Sequence, residues 1–327
     1  MRKICGNIII SILTSIIILL LLEFLARLCY PLIKNYDTEM WRYSVLGKVS
    51  IRGNGYYFHI NKPKAYFKDL YGVEVKINSK GLRDYEYDYS KPPNTYRILV
   101  LGDSITFGWG TPFEETYSKH IERRLNRESS GLKYQVINTG VGNYSTQTEL
   151  DFLKLEGLKY KPDMIILGYF VNDAEIIMPS DYFLNRHSYL YVYLWSKFIA
   201  AKTRFLPKSD YANYDFSLYA KGSKTRDAFE SAVSELKSVL KKENISLAVI
   251  LIPDLHNIKN YPFEDIDNYV KNLFKDYTVI DLLTYFDKDA NPSLYWISMG
   301  DAHHNAIAHR IIADAVYSKI ANLIKGK

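Results

Sequence analysis

The sequence predicts an α/β fold in which a doubly wound parallel sheet of five strands is sandwiched by helices and preceded by a transmembrane helix. Five short apolar runs rich in β-branched residues are typical of strands that are buried on both faces. Segments with helical spacing of their apolar residues lie between these runs, and this alternation indicates a parallel sheet with helices on both sides. The chain has 327 residues, enough for one such domain with an anchor and insertions.

The predicted elements of the main domain begin at residue 96. The strands are expected at 96–101, 134–138, 164–171, 245–252 and 278–282, and the helices at 114–128, 146–160, 223–243 and 305–324. An aromatic-rich segment at 175–222 interrupts the alternation. We expect this segment to be a helical insertion that either forms a lid near the site or packs on the core.

The region before the main domain has a different composition. Residues 30–94 are rich in Tyr, Lys and Asn, and their short alternating stretches predict a few strands and loops. The stretch Lys91-Pro92-Pro93-Asn94 is typical of a domain boundary. We therefore divide the chain into a stub with an anchor at 1–29, a juxtamembrane extension at 30–94 and the main domain at 95–327.

The first 29 residues are predicted to anchor the chain in a membrane. A run without charge extends from Ile8 to Leu22, and apolar residues continue to Leu28 with Glu23 and Arg27 among them. About 20 apolar residues cross the hydrocarbon layer, and charged side chains near the end of such a helix can extend to the interface. A cleaved signal peptide is the alternative, but no small-x-small cleavage site follows the run.

The charges and cysteines bear on location and partners. Arg2 and Lys3 precede the apolar run, so the positive-inside rule places them in the cytoplasm and the main domain outside, although basic residues beyond the run reduce this bias. The net charge of +6 is spread along the chain, which argues against a nucleic-acid partner. Cys5 and Cys29 lie in or beside the apolar run, so no disulfide or cysteine metal site supports the main domain.

Three short motifs carry the chemistry. Gly102-Asp103-Ser104 follows the first strand, at the edge of the sheet where α/β folds bind ligands, although this tripeptide also suits an ordinary turn. Asn172-Asp173 ends the third strand, where a side-chain amide can donate to an oxyanion or close an Asx turn. Asp301-Ala302-His303-His304-Asn305 precedes the last helix, and an acid beside a histidine can fix its tautomer and stabilise its charge.

Four segments, in order along the chain, resemble the sequence blocks of the SGNH (GDSL-like) hydrolase family. They are Arg97–Gly108, Asn138–Tyr144, Pro162–Gly168 running on to Asn172-Asp173, and Asp301–Ala313. The resemblance covers residues 97–325. It implies a flavodoxin-like sheet and serine esterase activity, and it calls for no cofactor.

The resemblance also implies roles for individual residues. Ser104 corresponds to the nucleophile and offers its backbone N–H to the oxyanion, and Asn172 supplies a side-chain donor. Asn143 stands where the family often has glycine, whose backbone N–H is the remaining donor of the oxyanion hole. Asparagine tolerates positive φ better than most residues, so Asn143 can fill this position.

The last block contains two candidates for the catalytic base. The family's usual Asp-x-x-His spacing pairs Asp301 with His304, whereas the downstream pattern matches His303, Asn305, Ala308 and His309. We favour His303 as the base and Asp301 as the acid that orients it, and we expect His309 to be structural. A zinc site is the alternative, but the spacing differs from a His-Glu-x-x-His arrangement on one helix face, so we predict no metal.

These inferences predict a membrane-anchored serine esterase whose main domain lies outside the cytoplasm. Its expected partners are the lipid bilayer and an acylated small molecule or glycan, with O-acylated cell-surface or exported carbohydrate as the favoured substrate. The alternatives are an O-acyltransferase, an enzyme acting on lipids, and a non-catalytic protein that binds glycan or a partner. Arg83 lies in a segment that resembles one preceding the catalytic domain in anchored members, and we expect it to be solvated beside a turn.

Overall fold

The structure is a computed structural model that describes residues 2–53, 56–129, 131–177, 187–204 and 210–325. Its strands are β1 (Lys48–Gly53), β2 (Tyr56–Asn61), β3 (Tyr66–Leu70), β4 (Val73–Lys76), β5 (Thr95–Gly102), β6 (Lys133–Asn138), β7 (Met164–Tyr169), β8 (Ser246–Leu251), β9 (Thr278–Asp281), β10 (Trp296–Ser298) and β11 (Asp301–His304). Its helices are α1 (Arg2–Leu28), α2 (Tyr30–Ile33), α3 (Tyr36–Leu46), α4 (Ser104–Phe107), α5 (Tyr117–Glu128), α6 (Thr146–Leu155), α7 (Tyr189–Arg204), α8 (Asp210–Leu218), α9 (Lys224–Glu243), α10 (Glu264–Leu273) and α11 (Ala306–Lys325). The chain divides into two compact units, one of residues 1–46 and 180–208 and the other of residues 47–179 and 209–327.

The first unit contains α1, α2, α3 and α7. Helix α1 carries the apolar run, and its large apolar side chains are exposed. The stretch Ile4–Leu28 is long and apolar enough to cross a bilayer, a property that membrane anchors share with signal sequences. The structure therefore contains the predicted N-terminal apolar helix, while its orientation in a membrane stays a prediction.

The two charges near the end of α1 bind the start of α7. The Glu23 carboxylate accepts hydrogen bonds from the backbone N–H groups of Tyr189 (3.1 Å) and Leu190 (3.0 Å) and from the Ser188 hydroxyl (2.7 Å). The first N–H groups of a helix have no partner within the helix, so this carboxylate caps α7. Arg27 pairs with Glu23 at 2.8 Å. These side chains therefore have a structural role in the first unit that the sequence did not indicate.

The second unit contains the predicted parallel sheet. Its strand order is β6-β5-β7-β8-β9, and every neighbouring pair is parallel. The chain runs outward from β5 to β6 and then returns to the other side of β5 with β7, so the strand order reverses between β5 and β7. Open α/β sheets bind ligands at such a switch point, beyond the carboxyl ends of the strands. The predicted fold class is confirmed.

Both faces of the sheet are covered by apolar cores. Along β5, Leu99 and Leu101 belong to one core while Ile98 and Val100 belong to the other. Successive side chains of a strand point to opposite faces, so a strand that is buried on both sides has a continuous apolar sequence. For this reason, continuous apolar runs rather than alternating patterns predicted the five strands of the sheet.

The structure differs from the sequence-based expectations in several elements. Residues 30–33 and 36–46 are helical, whereas strands and loops were expected between 30 and 94. Within residues 47–94 the structure has two antiparallel hairpins, β1–β2 and β3–β4, and the expected loops between Lys76 and Thr95. In the aromatic-rich segment, α7 belongs to the first unit and α8 to the second, while 178–186 and 205–209 lie outside the described residues. The proposed domain boundaries stay predictions.

Candidate active site

Ser104 lies at the turn between β5 and α4. The Asp103 carboxylate caps this short helix by accepting a hydrogen bond from the Ile105 N–H at 2.8 Å. Gly102 permits the tight turn, since a Cβ at this position would lie 2.0 Å from Thr106 Oγ1. The sequence thus places the Ser104 hydroxyl at the carboxyl edge of the sheet, beside the switch point.

Ser104, His303 and Asp301 form one hydrogen-bonded chain. Ser104 Oγ lies 2.8 Å from His303 Nε2, and His303 Nδ1 lies 2.6 Å from Asp301 Oδ1. The Asp301 side chain is only 2% exposed and that of His303 is 18% exposed. A hydroxyl, an imidazole and a buried carboxylate in this order are able to activate the hydroxyl as a nucleophile.

The short Asp-x-His spacing is accommodated by the local backbone. Asp301 lies in β11, and its Oδ1 accepts both the His303 backbone N–H at 3.0 Å and the Nδ1 contact. Its other oxygen, Oδ2, accepts from the Trp109 indole N–H at 3.1 Å. Both carboxylate oxygens therefore have partners. The sequence did not indicate the role of Trp109, which lies 192 residues from Asp301 along the chain.

The other two histidines of the last block have different surroundings. His304 is buried, and neither of its ring nitrogens has a hydrogen-bond partner among the described residues. His309 lies on α11, where its Nδ1 accepts from the Tyr117 N–H at 3.2 Å. Burial lowers the pKa of His304 well below its ordinary value and lowers that of His309 to about 3. In the described part of the chain, no group of three or more His, Cys, Asp or Glu side chains could hold a metal ion.

The three expected donors to an oxyanion lie on loops after β5, β6 and β7. Asn172 lies in the 3₁₀ turn Val171–Ala174, and its Oδ1 is buried without a hydrogen-bond partner among the described residues. Asn143 adopts φ of 64°, the left-handed conformation that asparagine tolerates. The β6 loop is attached to the strand before Ser104, because the Val141 N–H donates to the Gly102 carbonyl at 3.2 Å. The assignment of these donors stays a prediction.

Arg83 is buried, so the expectation of a solvated arginine is wrong. The residue is only 1% exposed. Its guanidinium donates to the carbonyls of Phe107 (3.0 Å), Gly108 (2.5 Å) and Thr111 (2.8 Å). The last carbonyls of a helix have no partner within the helix, and a guanidinium offers five donors to satisfy them. Arg83 thus fixes the end of the helix that begins with Ser104.

Asp103, which precedes Ser104, belongs to a group of three buried acids that also contains Glu149 and Asp173. Burial, and then the nearby charge of Asp103, raise the pKa of Glu149 well above its ordinary value. Burial raises the pKa of Asp173 in the same way, with further increases from Glu149 and Asp103. Neither carboxyl oxygen of Glu149 has a hydrogen-bond partner among the described residues. These carboxyls are therefore expected to bind protons at pH values where exposed acids are ionised.

A second Asp-x-His pair follows β8 at the same edge of the sheet. His256 Nδ1 lies 2.9 Å from Asp254 Oδ2, and the His256 N–H donates to Asp254 Oδ1 at 2.9 Å. The sequence-based reasoning missed this pair. Its only signal was the spacing that Asp254 and His256 share with Asp301 and His303.

A serine at the switch point of the sheet, within hydrogen-bond reach of an Asp–His pair, suits the hydrolysis of an ester bond. The chain belongs to the GDSL-like lipase/acylhydrolase family, whose sequence model matches residues 100–311. The predicted family is confirmed, and the protein is an enzyme that hydrolyses ester bonds.

Several solved structures are similar to this chain. One is a catalytic mutant of an acetylxylan esterase from Geobacillus stearothermophilus, at 16% identity, with 69% of this chain and 94% of that chain covered and a TM-score of 0.46. A second is the acetyl xylan esterase AlAXEase, at 22% identity, with 68% and 98% covered and a TM-score of 0.43. A third is a two-domain esterase active on acetylated mannans, at 12% identity, with 71% and 50% covered and a TM-score of 0.46. No curated protein matches the chain.

Proposed function

We propose that the protein is a serine esterase that forms an acyl-enzyme on Ser104, with His303 as base and Asp301 as orienting acid. The observation that carries the proposal is the contact of 2.8 Å between Ser104 Oγ and His303 Nε2, in line with the contact of 2.6 Å between His303 Nδ1 and Asp301. Hydrogen-bond reach between nucleophile and base is the first geometric requirement for this chemistry.

The reaction proceeds in two steps. The Ser104 hydroxyl attacks the ester carbonyl while His303 Nε2 accepts its proton, and Asp301 stabilises the resulting imidazolium. The Asn172 amide and the N–H groups of Ser104 and Asn143 stabilise the oxyanion. His303 then returns the proton to the leaving alcohol. In the second step His303 takes a proton from water, the hydroxide attacks the acyl-enzyme, and the acid is released as Ser104 recovers its proton.

The proposed substrate is an O-acylated carbohydrate at the cell surface or in export. The support is the apolar run of α1 with Arg2 and Lys3 before that run, which by the positive-inside rule holds the enzyme at the membrane with its catalytic unit outside the cytoplasm. An enzyme held there meets acylated surface glycans. The location and the substrate are therefore proposed, as the mechanism is.

A fluorophosphonate probe tests the mechanism directly, because it labels only a serine whose hydroxyl is activated. The full chain in detergent should be labelled, and so should the control Ser318→Ala, whose changed side chain is exposed on α11. Ser104→Ala should take up no label. A folded wild type that takes up no label would overturn the mechanism. Acetate release from an acetylated oligosaccharide, compared with release from a small acetate ester, tests the substrate.

A further inference from the structure

Two side chains of the β1–β2 hairpin converge on a single carbonyl of the β6 loop. Lys48 pairs with Asn61 and Ser50 pairs with His59, so Lys48 and His59 are diagonal neighbours on one face of the hairpin. Lys48 Nζ lies 2.5 Å from the Gly142 carbonyl oxygen, and His59 Nε2 lies 3.0 Å from the same oxygen. The hairpin precedes the residues that match the family, which begin at 100.

That carbonyl belongs to the central peptide of a type II turn. The Tyr144 N–H donates to the Val141 carbonyl at 3.1 Å, which defines a turn over residues 141–144. Asn143, in the third position, has φ of 64°, and a positive φ at this position is the mark of a type II turn. The central peptide, between Gly142 and Asn143, would be rotated by about half a turn in a type I turn.

Holding the Gly142 carbonyl therefore also holds the Asn143 N–H. A trans peptide is planar, and its C=O and N–H point in opposite directions. When the carbonyl points to Lys48, the Asn143 N–H points to the other side. In the rotated peptide, a carbonyl oxygen would replace the N–H and would repel an oxyanion.

The hairpin contacts the residues on both sides of Asn143. The Tyr144 hydroxyl donates to the backbone carbonyl of His59 at 2.6 Å, while the Gly142 carbonyl receives the side-chain contacts. The Tyr144 ring also packs against the His59 ring, with centroids 5.4 Å apart. The position of Asn143 is thus set by the hairpin as well as by its own loop.

The protonation of these two side chains makes Lys48 the donor to the Gly142 carbonyl. Burial, and then the neighbouring Lys48, lower the pKa of His59 to about 3, so its imidazole is neutral. Burial also lowers the pKa of Lys48 to about 7, so its amine loses the positive charge near neutral pH. Lys48 Nζ lies 3.2 Å from His59 Nε2. The lysine amine has at least two N–H donors in both its charged and its neutral form. We assign one Lys48 proton to the Gly142 carbonyl and another to His59 Nε2, so that His59 keeps the lysine in place.

We propose that Lys48 and His59 are positioning residues of the esterase: they hold the Gly142–Asn143 peptide so that its N–H points into the oxyanion hole. This inference rests on the proposed function and extends it to a segment outside the family's matched residues. The β1–β2 hairpin then completes the site, rather than serving only as a spacer between the anchor and the catalytic domain.

The test compares Lys48→Met with Lys62→Met in the full chain, using a small acetate ester. Methionine keeps most of the length and the apolar stem of lysine but removes the donor, and Lys62 is exposed just after β2. Loss of one oxyanion donor costs roughly 10²–10³ in kcat, so loss of its positioning should lower kcat by roughly 10- to 100-fold. KM should stay within about twofold, since the donor acts on the transition state. Lys62→Met should match the wild type.

Further variants separate positioning from folding. Lys48→Arg retains a cationic donor, and we expect it to recover much of the lost kcat. If Lys48→Met does not fold, His59→Leu serves instead and should lower kcat with KM unchanged. An active wild type with kcat unchanged in Lys48→Met, or a variant that changes only KM, would overturn this inference and leave the esterase proposal standing. A folded wild type without esterase activity would overturn both.

Discussion

Two Asp-x-His pairs stand at the same edge of the sheet with nearly the same local geometry. In each, the aspartate accepts from the backbone N–H of the histidine and contacts its Nδ1, at 2.6 Å for Asp301–His303 and 2.9 Å for Asp254–His256. Each pair also has a tryptophan nearby. Trp109 donates to the Asp301 carboxylate, whereas Trp296 donates to the backbone carbonyl of Leu255.

The pairs differ in what surrounds them. His303 is 18% exposed and its Nε2 reaches Ser104, while His256 is 51% exposed. The hydrogen bond with Asp254 raises the pKa of His256, which favours its protonated form. A protonated imidazole cannot accept a proton from a nucleophile. The comparison teaches that the Asp-x-His motif is a local structure, and that a hydroxyl partner from a distant part of the chain distinguishes the pair that can act as a base.

The largest expected effect comes from removing each histidine in turn. His303→Ala should lower kcat by about 10⁴-fold or more, as removal of a triad member does. His256→Ala should change kcat little, because the contact with Ser104 Oγ is made by His303. Steady-state hydrolysis of a small acetate ester by both variants gives the comparison. If the two variants lost activity equally, the pairs would be equivalent and His303 would not be the unique base.

A smaller effect should follow from the tryptophans. Trp109→Phe removes the indole donor and leaves Asp301 Oδ2 buried without its partner. A hydrogen bond to a charged group is worth roughly 1.5–3 kcal/mol, so we expect kcat to fall by about tenfold. Trp296→Phe is the matched control, since its indole donates only to a backbone carbonyl near the other pair. Equal kcat values for the two variants would show that the Trp109 contact does not act on the catalytic pair.

The comparison also shows which parts of the site a sequence can reveal. The strands of the sheet and the turn at Ser104 follow from local patterns, because apolar runs and tight turns depend on neighbouring residues. Local patterns do not show which of the two Asp-x-His pairs serves the nucleophile. The deciding contact joins Ser104 and His303, which lie 199 positions apart in the chain. Arg83 was misjudged for the same reason, since its partners are carbonyls at 107–111.

The N-terminal region was misjudged for a different physical reason. Residues 36–46 contain an ordinary mixture of polar and aromatic residues with no strong local pattern. They form α3 in the first unit, which also contains α7, and the helix buries Glu39 and Tyr43. Packing of this kind stabilises a helix that local propensity leaves undecided. In the same way, no local signal could show that Lys48 and His59 contact Gly142.

The smallest expected effect concerns Glu149, an acid that differs from Asp301 in having no hydrogen-bond partner in the described part of the chain. The Asp301 carboxylate has three hydrogen-bond contacts, whereas the buried Glu149 carboxyl has none among the described residues, and the pKa of Glu149 is raised. Because the pKa of Glu149 is raised in the folded state, the bound proton favours the folded state, and this contribution to the free energy of unfolding is fully present below the unfolded pKa of about 4.3. The contribution is lost as the pH rises through the folded pKa. Glu149→Gln carries no charge at any pH, so it should escape this loss.

We therefore expect Glu149→Gln to raise the unfolding temperature relative to wild type at pH 9, and to change it much less at pH 5. Each unit of pKa shift corresponds to about 1.4 kcal/mol, and each kcal/mol to roughly 2–4 °C for a domain of this size. Scanning calorimetry at both pH values measures the difference, with Glu264→Gln on the exposed surface of α10 as control. The same difference at both pH values would mean that Glu149 is ionised in the folded protein through a partner. Glu149 would then resemble Asp301 in being an ionised carboxylate with a hydrogen-bond partner.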